Sequence, residues 1–261
     1  MPDHVLTAKV VPFFGFKDYA LASCAAQYLQ AHWQTANLRK PLPLYVPEDC
    51  KTIKEAVARV VHDSRITTIV LGEGEHKINS FYLAVSSAMS IVGRPDVPKK
   101  KIVVKGGFAF KEGIQGNCHL QHMTLCQAKG SGVEGWSSFT MEDVLVEQCR
   151  YHGVLANAAG GVGRCTNVEV RQCGWSGVIA INGGSITLIG AKTTVHHNCT
   201  KGDGDEYGLQ VSLSSASTIQ LVSPLTKEQV SVDNGGGGDW GVEFGACINQ
   251  IKTITAVHEG D

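Results

Sequence analysis

The residues of this chain with the chemistry to hold or act on a ligand gather just ahead of a recurring Gly-[Val/Leu] dipeptide. They are Tyr151 and His152, Trp175 and Ser176, Glu206 and Tyr207, and Asp239 and Trp240. Read as one stripe, Tyr151, His152, Trp175, Tyr207 and Trp240 offer aromatic faces. Such faces stack on sugar rings or anchor a peptide at low entropic cost. Glu206 and Asp239 occupy matching places in two repeats and form the candidate carboxylate pair for glycoside hydrolysis. That chemistry needs two carboxyls about 5–10 Å apart. Neighbouring repeats in a stacked sheet lie ~4.8 Å apart, and both carboxylates sit in segments of irregular length, so the pair is a weak catalytic candidate. The plainer reading of the rings is that they pack over turns and shield a core.

Other chemistry is thin. Gly202-Asp203-Gly204-Asp205-Glu206 begins like a calcium loop but lacks the twelve-residue frame and closing Glu. Gly235–Gly238 has no following Lys-Ser/Thr, so it is not a phosphate loop. His196-His197 alternate in direction on a strand, and the nine cysteines form no C-x-x-C pair. No metal and no cofactor is expected. A net charge of -1 gives no bulk attraction to nucleic acid or anionic membrane, and no apolar run is long enough to span a bilayer. With no signal-peptide pattern at the N-terminus, the cysteines read as reduced core thiols in a cytoplasmic or nuclear protein.

What must position these residues is a repeat. Met141–Ala156 reads MEDVLVEQCRYHGVLA and Cys165–Ala180 reads CTNVEVRQCGWSGVIA. Both follow V-x-V-x-x-C-x-x-x-G-V-[LI]-A. The dipeptide recurs at Gly132, Gly153, Gly177, Gly208 and Gly241, at spacings of 21, 24, 31 and 33 residues. Ala128, Cys149, Cys173 and Asn198 form a column of small or amide-bearing residues suited to stacking inside a turn. Short β-branched segments with period-2 alternation and a Gly turn every ~20–30 residues define a β-solenoid. Earlier coils are visible at Ile66–Ile78, Ala88–Gly93 and Lys101–Ile114, and a last one at Ile248–Val257, which makes seven or eight coils. Ile53, Ala56, Val57 and Val60 fall at helical spacing, so a helix over 48–62, capped by Glu48 or Asp49, covers the first coil.

The order LYVPEDCKTIKEAV…TTIVLGEGEHKI, with the G-[VIL]-x-[VIL] coil pattern, resembles the pectin-lyase-like superfamily. The resemblance implies an all-β, right-handed single-stranded parallel β-helix over residues 41–261. It says little of function, because that fold hosts lyases, hydrolases, esterases and binding modules. The N-T-D, D-D, G-H-G and R-I-K motifs of its galacturonan hydrolases are missing, as is the R-x-P-x-x-R of its pectate lyases.

Residues 1–40 do not fit the solenoid. Their apolar positions have helical spacing with a break at Gly15. Pro2, Leu6, Val10, Phe13, Phe14, Asp18 and Trp33 follow an order that resembles an F-box, as in the F-box only protein 11 type, where an F-box precedes a β-helix. The resemblance implies docking to a Skp1-type adaptor of a cullin ubiquitin ligase, with the solenoid receiving a protein or glycan substrate. The alternative is a carbohydrate-active enzyme or carbohydrate-binding module using the aromatic face. An open solenoid end has unpaired strand edges, so a homodimer through that end is also expected.

Overall fold

The computed structural model describes residues 42–202 and 204–255. The expected N-terminal helices, with Pro2, Leu6, Val10, Phe13, Phe14, Asp18 and Trp33, lie outside the described residues.

Every strand pairing in the described residues is parallel. Fourteen strands form one sheet and seven form a second. The smaller sheet stacks Leu83–Val85, Phe108–Phe110, Val133–Gly135, Val154–Asn157, Val178–Ile181, Tyr207–Ser212 and Gly238–Glu243 in chain order. Seven strands in one column correspond to about six full turns, fewer than the seven or eight coils the repeat count predicts. The chain is a parallel β-solenoid.

The alternation of apolar residues carries the stacking. Val154 pairs with Val178 and Ala156 with Ala180, all four fully buried. Met123, Val144 and Val168 are likewise completely inside, as are Leu125, Val146 and Val170. Each side chain therefore stands on its equivalent one turn away, and each turn shields its neighbours' apolar surface from water.

The small-residue column becomes an interior ladder at a sharp bend. Gln127, Gln148, Gln172, His197 and Asp233 all adopt left-handed backbone conformations, with φ between 54 and 56°. Each is followed directly by a ladder residue: Ala128, Cys149, Cys173, Asn198 and Asn234. The repeated glycines make room for the inward valine and the glycine carbonyl of the next turn. A Cβ on Gly153 would lie 2.2 Å from Val170 Cγ1 and 2.6 Å from the Gly177 carbonyl oxygen. Gly153→Ala is therefore expected to cost about 1–3 kcal/mol, the range of an overpacked core, in urea unfolding.

The start of the solenoid is covered by a helix, Ile53–His62, that buries Ile53, Ala56, Val57 and Val60 as the spacing predicts. It begins later than position 48. Thr52 is the cap, its side chain accepting the Glu55 N–H at 3.2 Å. Asp49 is engaged elsewhere, accepting the Tyr45 N–H at 2.8 Å to close a turn. All eight cysteines among the described residues are free thiols, seven of them buried.

Candidate functional site

The last coil departs from the register of the repeat. The repeat pairs Gly208 with Gly241, but the structure places Leu209 opposite Trp240 and Tyr207 opposite Gly238. Val230 is buried, but the residue opposite Val195 is the buried Ser231, whose hydroxyl donates to the Asp239 carbonyl. A small polar residue at an inward position hides the repeat from an apolar pattern.

The candidate residues separate accordingly. Trp240 takes the inward line and packs against the core end, with Lys227 Nζ 5.2 Å from its ring. Asp239 lies at the Gly208 level. Its carboxylate accepts the Asn234 backbone N–H and side-chain amide, both at 3.0 Å. The structure therefore does not align Glu206 with Asp239. Tyr207 lies across Gly241, where a Cβ would meet its ring at 2.3 Å.

Tyr151, His152 and Trp175 do come together. Tyr151 and Trp175 stack with centroids 4.1 Å apart and planes 21° apart, and His152 meets Trp175 edge-on at 5.2 Å. The column extends to Phe81 and Tyr82, which the sequence reading missed. Phe81 lies 6.2 Å from Tyr151 and 4.9 Å from Tyr82. The Tyr82 oxygen accepts the Ser131 N–H at 2.9 Å. Gly130 leaves space for both rings, since a Cβ there would lie 2.4 Å from Tyr82 Oη and 2.7 Å from Phe81 Cε1. The signal was present, because Phe81-Tyr82 lie directly before inward Leu83, with Tyr82 in the place that Gly132 and Gly153 hold in later turns. The coil simply lacks the glycine that marks the others.

A cationic column runs beside the rings. Arg150 and Lys129 occupy successive turns, tied by the Arg150 N–H to the Ala128 carbonyl at 2.9 Å. Lys201 follows over Gly174, with its Nζ 5.0 Å from Tyr151 and 5.2 Å from Trp175. Near-equal distances to two stacked rings put this ammonium at the rim of the pair rather than over one face. There it meets the positive ring edges, so the contact is packing of the lysine rather than cation–π attraction, and the ammonium stays available to an anion.

On the other flank lies a polar cluster. Ser176 is fully buried, and its hydroxyl contacts both the Glu206 carboxyl and the Gln210 side-chain oxygen. The Ser176 N–H also donates to Glu206 at 3.2 Å. The Gln210 amide donates to the Asp205 carbonyl at 2.9 Å and to the Glu243 carboxyl at 3.1 Å. Turning that amide over would set its oxygen against two acceptors, so the orientation is fixed. Burial, then the charges of Asp205 and Glu206, push the Glu243 carboxyl above its ordinary value. His152 Nδ1 stands 3.8 Å from Glu206 and is buried with no hydrogen-bond partner. Burial holds its imidazole down at about 4.

Among the described residues no group of three or more His, Cys, Asp or Glu is placed to hold a metal ion. No helix among them is long and apolar enough to cross a membrane. His196 and His197 touch through their Nδ1 atoms at 2.7 Å, and His196 reaches Glu169 at 3.3 Å. The arrangement defines a parallel β-solenoid with an aromatic column between a cationic flank and a carboxyl-rich one. No family model, no curated protein and no solved structure matches this chain.

Proposed function

We propose that this chain is a non-enzymatic recognition solenoid of the right-handed, pectin-lyase-like kind, holding its ligand on the Tyr151–Trp175 face. Right-handedness is the hand that parallel crossover connections take in the great majority of cases. The observation that carries the reading is the aromatic column beside Lys129, Arg150 and Lys201. Stacked aromatics already fixed by their neighbours lose little entropy on binding, and exposed cations in adjacent turns favour an anionic partner. In this reading residues 1–40 dock a Skp1-type adaptor and the solenoid presents a protein substrate to a cullin ubiquitin ligase in the cytoplasm or nucleus.

Two measurements test it. The full chain is expected to co-purify with a Skp1-type adaptor, and the 41–261 fragment is expected to lose the adaptor while keeping its β circular-dichroism spectrum. Retention of the adaptor by that fragment would sink the F-box part. Trp175→Ala is expected to weaken ligands found by peptide and glycan arrays about 30-fold, the size of a 2 kcal/mol hot spot. Unchanged affinity would remove the face from the site.

One observation favours a second reading, a carbohydrate-active site. Glu243 is a carboxyl with a raised proton affinity, linked to Glu206 through the Gln210 amide and the Ser176 hydroxyl, which is a combination acid–base chemistry uses. Polysaccharide cleavage lost in both Glu206→Gln and Glu243→Gln would replace the recognition reading with this one.

A further inference from the structure

The two ends of the solenoid are treated differently. The first turn is covered by the helix Ile53–His62. At the other end, among the described residues, Gly238–Glu243 and Ile251–Ile254 are the terminal strands of the two sheets, and Ser231–Val232 pairs only toward Thr194–His196. Beside these edges three large apolar side chains face outward. Phe244 is 72% exposed, Leu213 50% and Ile248 44%. Phe244 and Leu213 are also both held in the left-handed region, at φ 44 and 61°. They follow Glu243 and Ser212, which pair directly, so the two side chains sit on adjacent turns. Ala158 and Asn182 take the same bend in earlier turns, so what marks this end is an exposed apolar pair beside three strand edges unpaired among the described residues, a poor surface to leave in water.

We propose that this end is the interface of a closed, two-fold dimer in which a second copy of the chain continues both sheets. A strand edge is satisfied by another strand edge, and the same chain offers one of matching shape. The helix at the opposite end blocks head-to-tail addition, so end-to-end pairing closes at two copies and forms no filament. The register follows from hydrogen bonding. The Ile254 carbonyl accepts the Ser223 N–H, so by alternation the Thr253 peptide groups face away from the body. Two such strands related by a two-fold axis pair antiparallel with Thr253 opposite Thr253. That register sets Lys252 against Ile254 of the second copy, whereas a shift to Ile251 opposite Thr253 would set Lys252 against Lys252.

The test is sedimentation equilibrium of the full chain over a wide concentration range. The expected result is a reversible species at twice the 27.9 kDa chain mass. Phe244→Asp with Ile248→Asp is expected to shift it to monomer with an unchanged circular-dichroism spectrum. Because a hydrogen-bonded antiparallel pair has Cα atoms about 5.5 Å apart, within disulfide range, Thr253→Cys in a Cys247→Ser background is expected to cross-link the copies on oxidation. A monomer at every concentration, an open-ended polymer, or a dimer that the Phe244/Ile248 variant leaves intact overturns the proposal. An intact dimer that fails to cross-link overturns the strand pairing.

Discussion

Replacing Asn198 with Leu is expected to lower the unfolding free energy by about 2–4 kcal/mol, through an orphaned buried donor and two lost amide bonds rather than lost volume. Asn198 is almost fully buried, and its amide joins three turns. Its oxygen accepts the Cys173 N–H at 3.1 Å, and its nitrogen donates to the Val170 carbonyl and to Asn234, both at 3.0 Å. Leu leaves the Cys173 N–H facing no partner and no water, while the Val170 carbonyl keeps its strand pairing and loses only the amide bond. The orphaned donor costs about 1–3 kcal/mol and each lost amide bond about 1 kcal/mol. Asn198→Asp is the discriminating control. It keeps the acceptor for Cys173 but removes the donor for Val170, and it buries a carboxylate, so its cost should shrink as pH falls and the carboxyl protonates. One turn earlier, the Cys173 thiol donates to the Arg171 carbonyl within its own turn, at 3.5 Å. Cys173→Ala should therefore cost far less. Urea unfolding of the three variants checks the order, and equal losses for Asn198→Leu and Cys173→Ala would show that the ladder contributes only packing.

That contrast explains why so much of the fold was legible in the sequence and so little of the site. Val144, Val146, Val168 and Val170 announce themselves because an inward position tolerates only apolar shape, and stacking repeats the demand every turn. The ladder reads through Ala128, Cys149, Cys173 and Asn198 for the same reason. The last coil is where the rule stops being apolar. Ser231 is inward because its hydroxyl bonds to the Asp239 carbonyl, and a reader following valines slips by two residues and misplaces both Asp239 and Trp240. The polar cluster is harder still. Glu206 reaches Ser176, thirty residues back, because the long connection from Cys199 returns over the preceding turn. Nothing in either residue's immediate sequence encodes that return. Glu243 meets the cluster only through Gln210, an outward position on a strand whose alternate residues Leu209 and Val211 are core. The Tyr151–Trp175 stack, by contrast, was visible, since both residues hold the same place in the doubled repeat.

His152 yields the second large effect, a loss of stability in mild acid. Its imidazole is held down at about 4 by burial, against an ordinary 6.5 in the unfolded chain. Two influences oppose each other here. The Glu206 carboxyl at 3.8 Å favours an imidazolium, but Nδ1 makes no hydrogen bond and the ring is packed edge-on against Trp175. Desolvation prevails. The sign follows directly. Below 6.5 the unfolded chain binds a proton that the folded chain refuses until about 4. The stabilisation is complete above 6.5 and drains away as pH falls through that window, by roughly 3 kcal/mol in all. Glu243 runs the other way, since a carboxyl with raised proton affinity stabilises the fold as pH falls, so it partly masks the loss. The measurement is therefore a difference: unfolding free energy from pH 7 to 4 for the wild type, His152→Gln and Glu243→Gln. His152→Gln should flatten the slope and Glu243→Gln should steepen it. An imidazole titrating near its ordinary value by NMR would refute the assignment. Glu206→Gln then separates two ways of accepting the proton. If the imidazolium survives by closing the 3.8 Å gap to the carboxyl, removing that charge must lower the His152 value further. If the ring instead leaves its site when it protonates, the value stays where it is, and Tyr151 and Trp175 lose the neighbour that holds their edge.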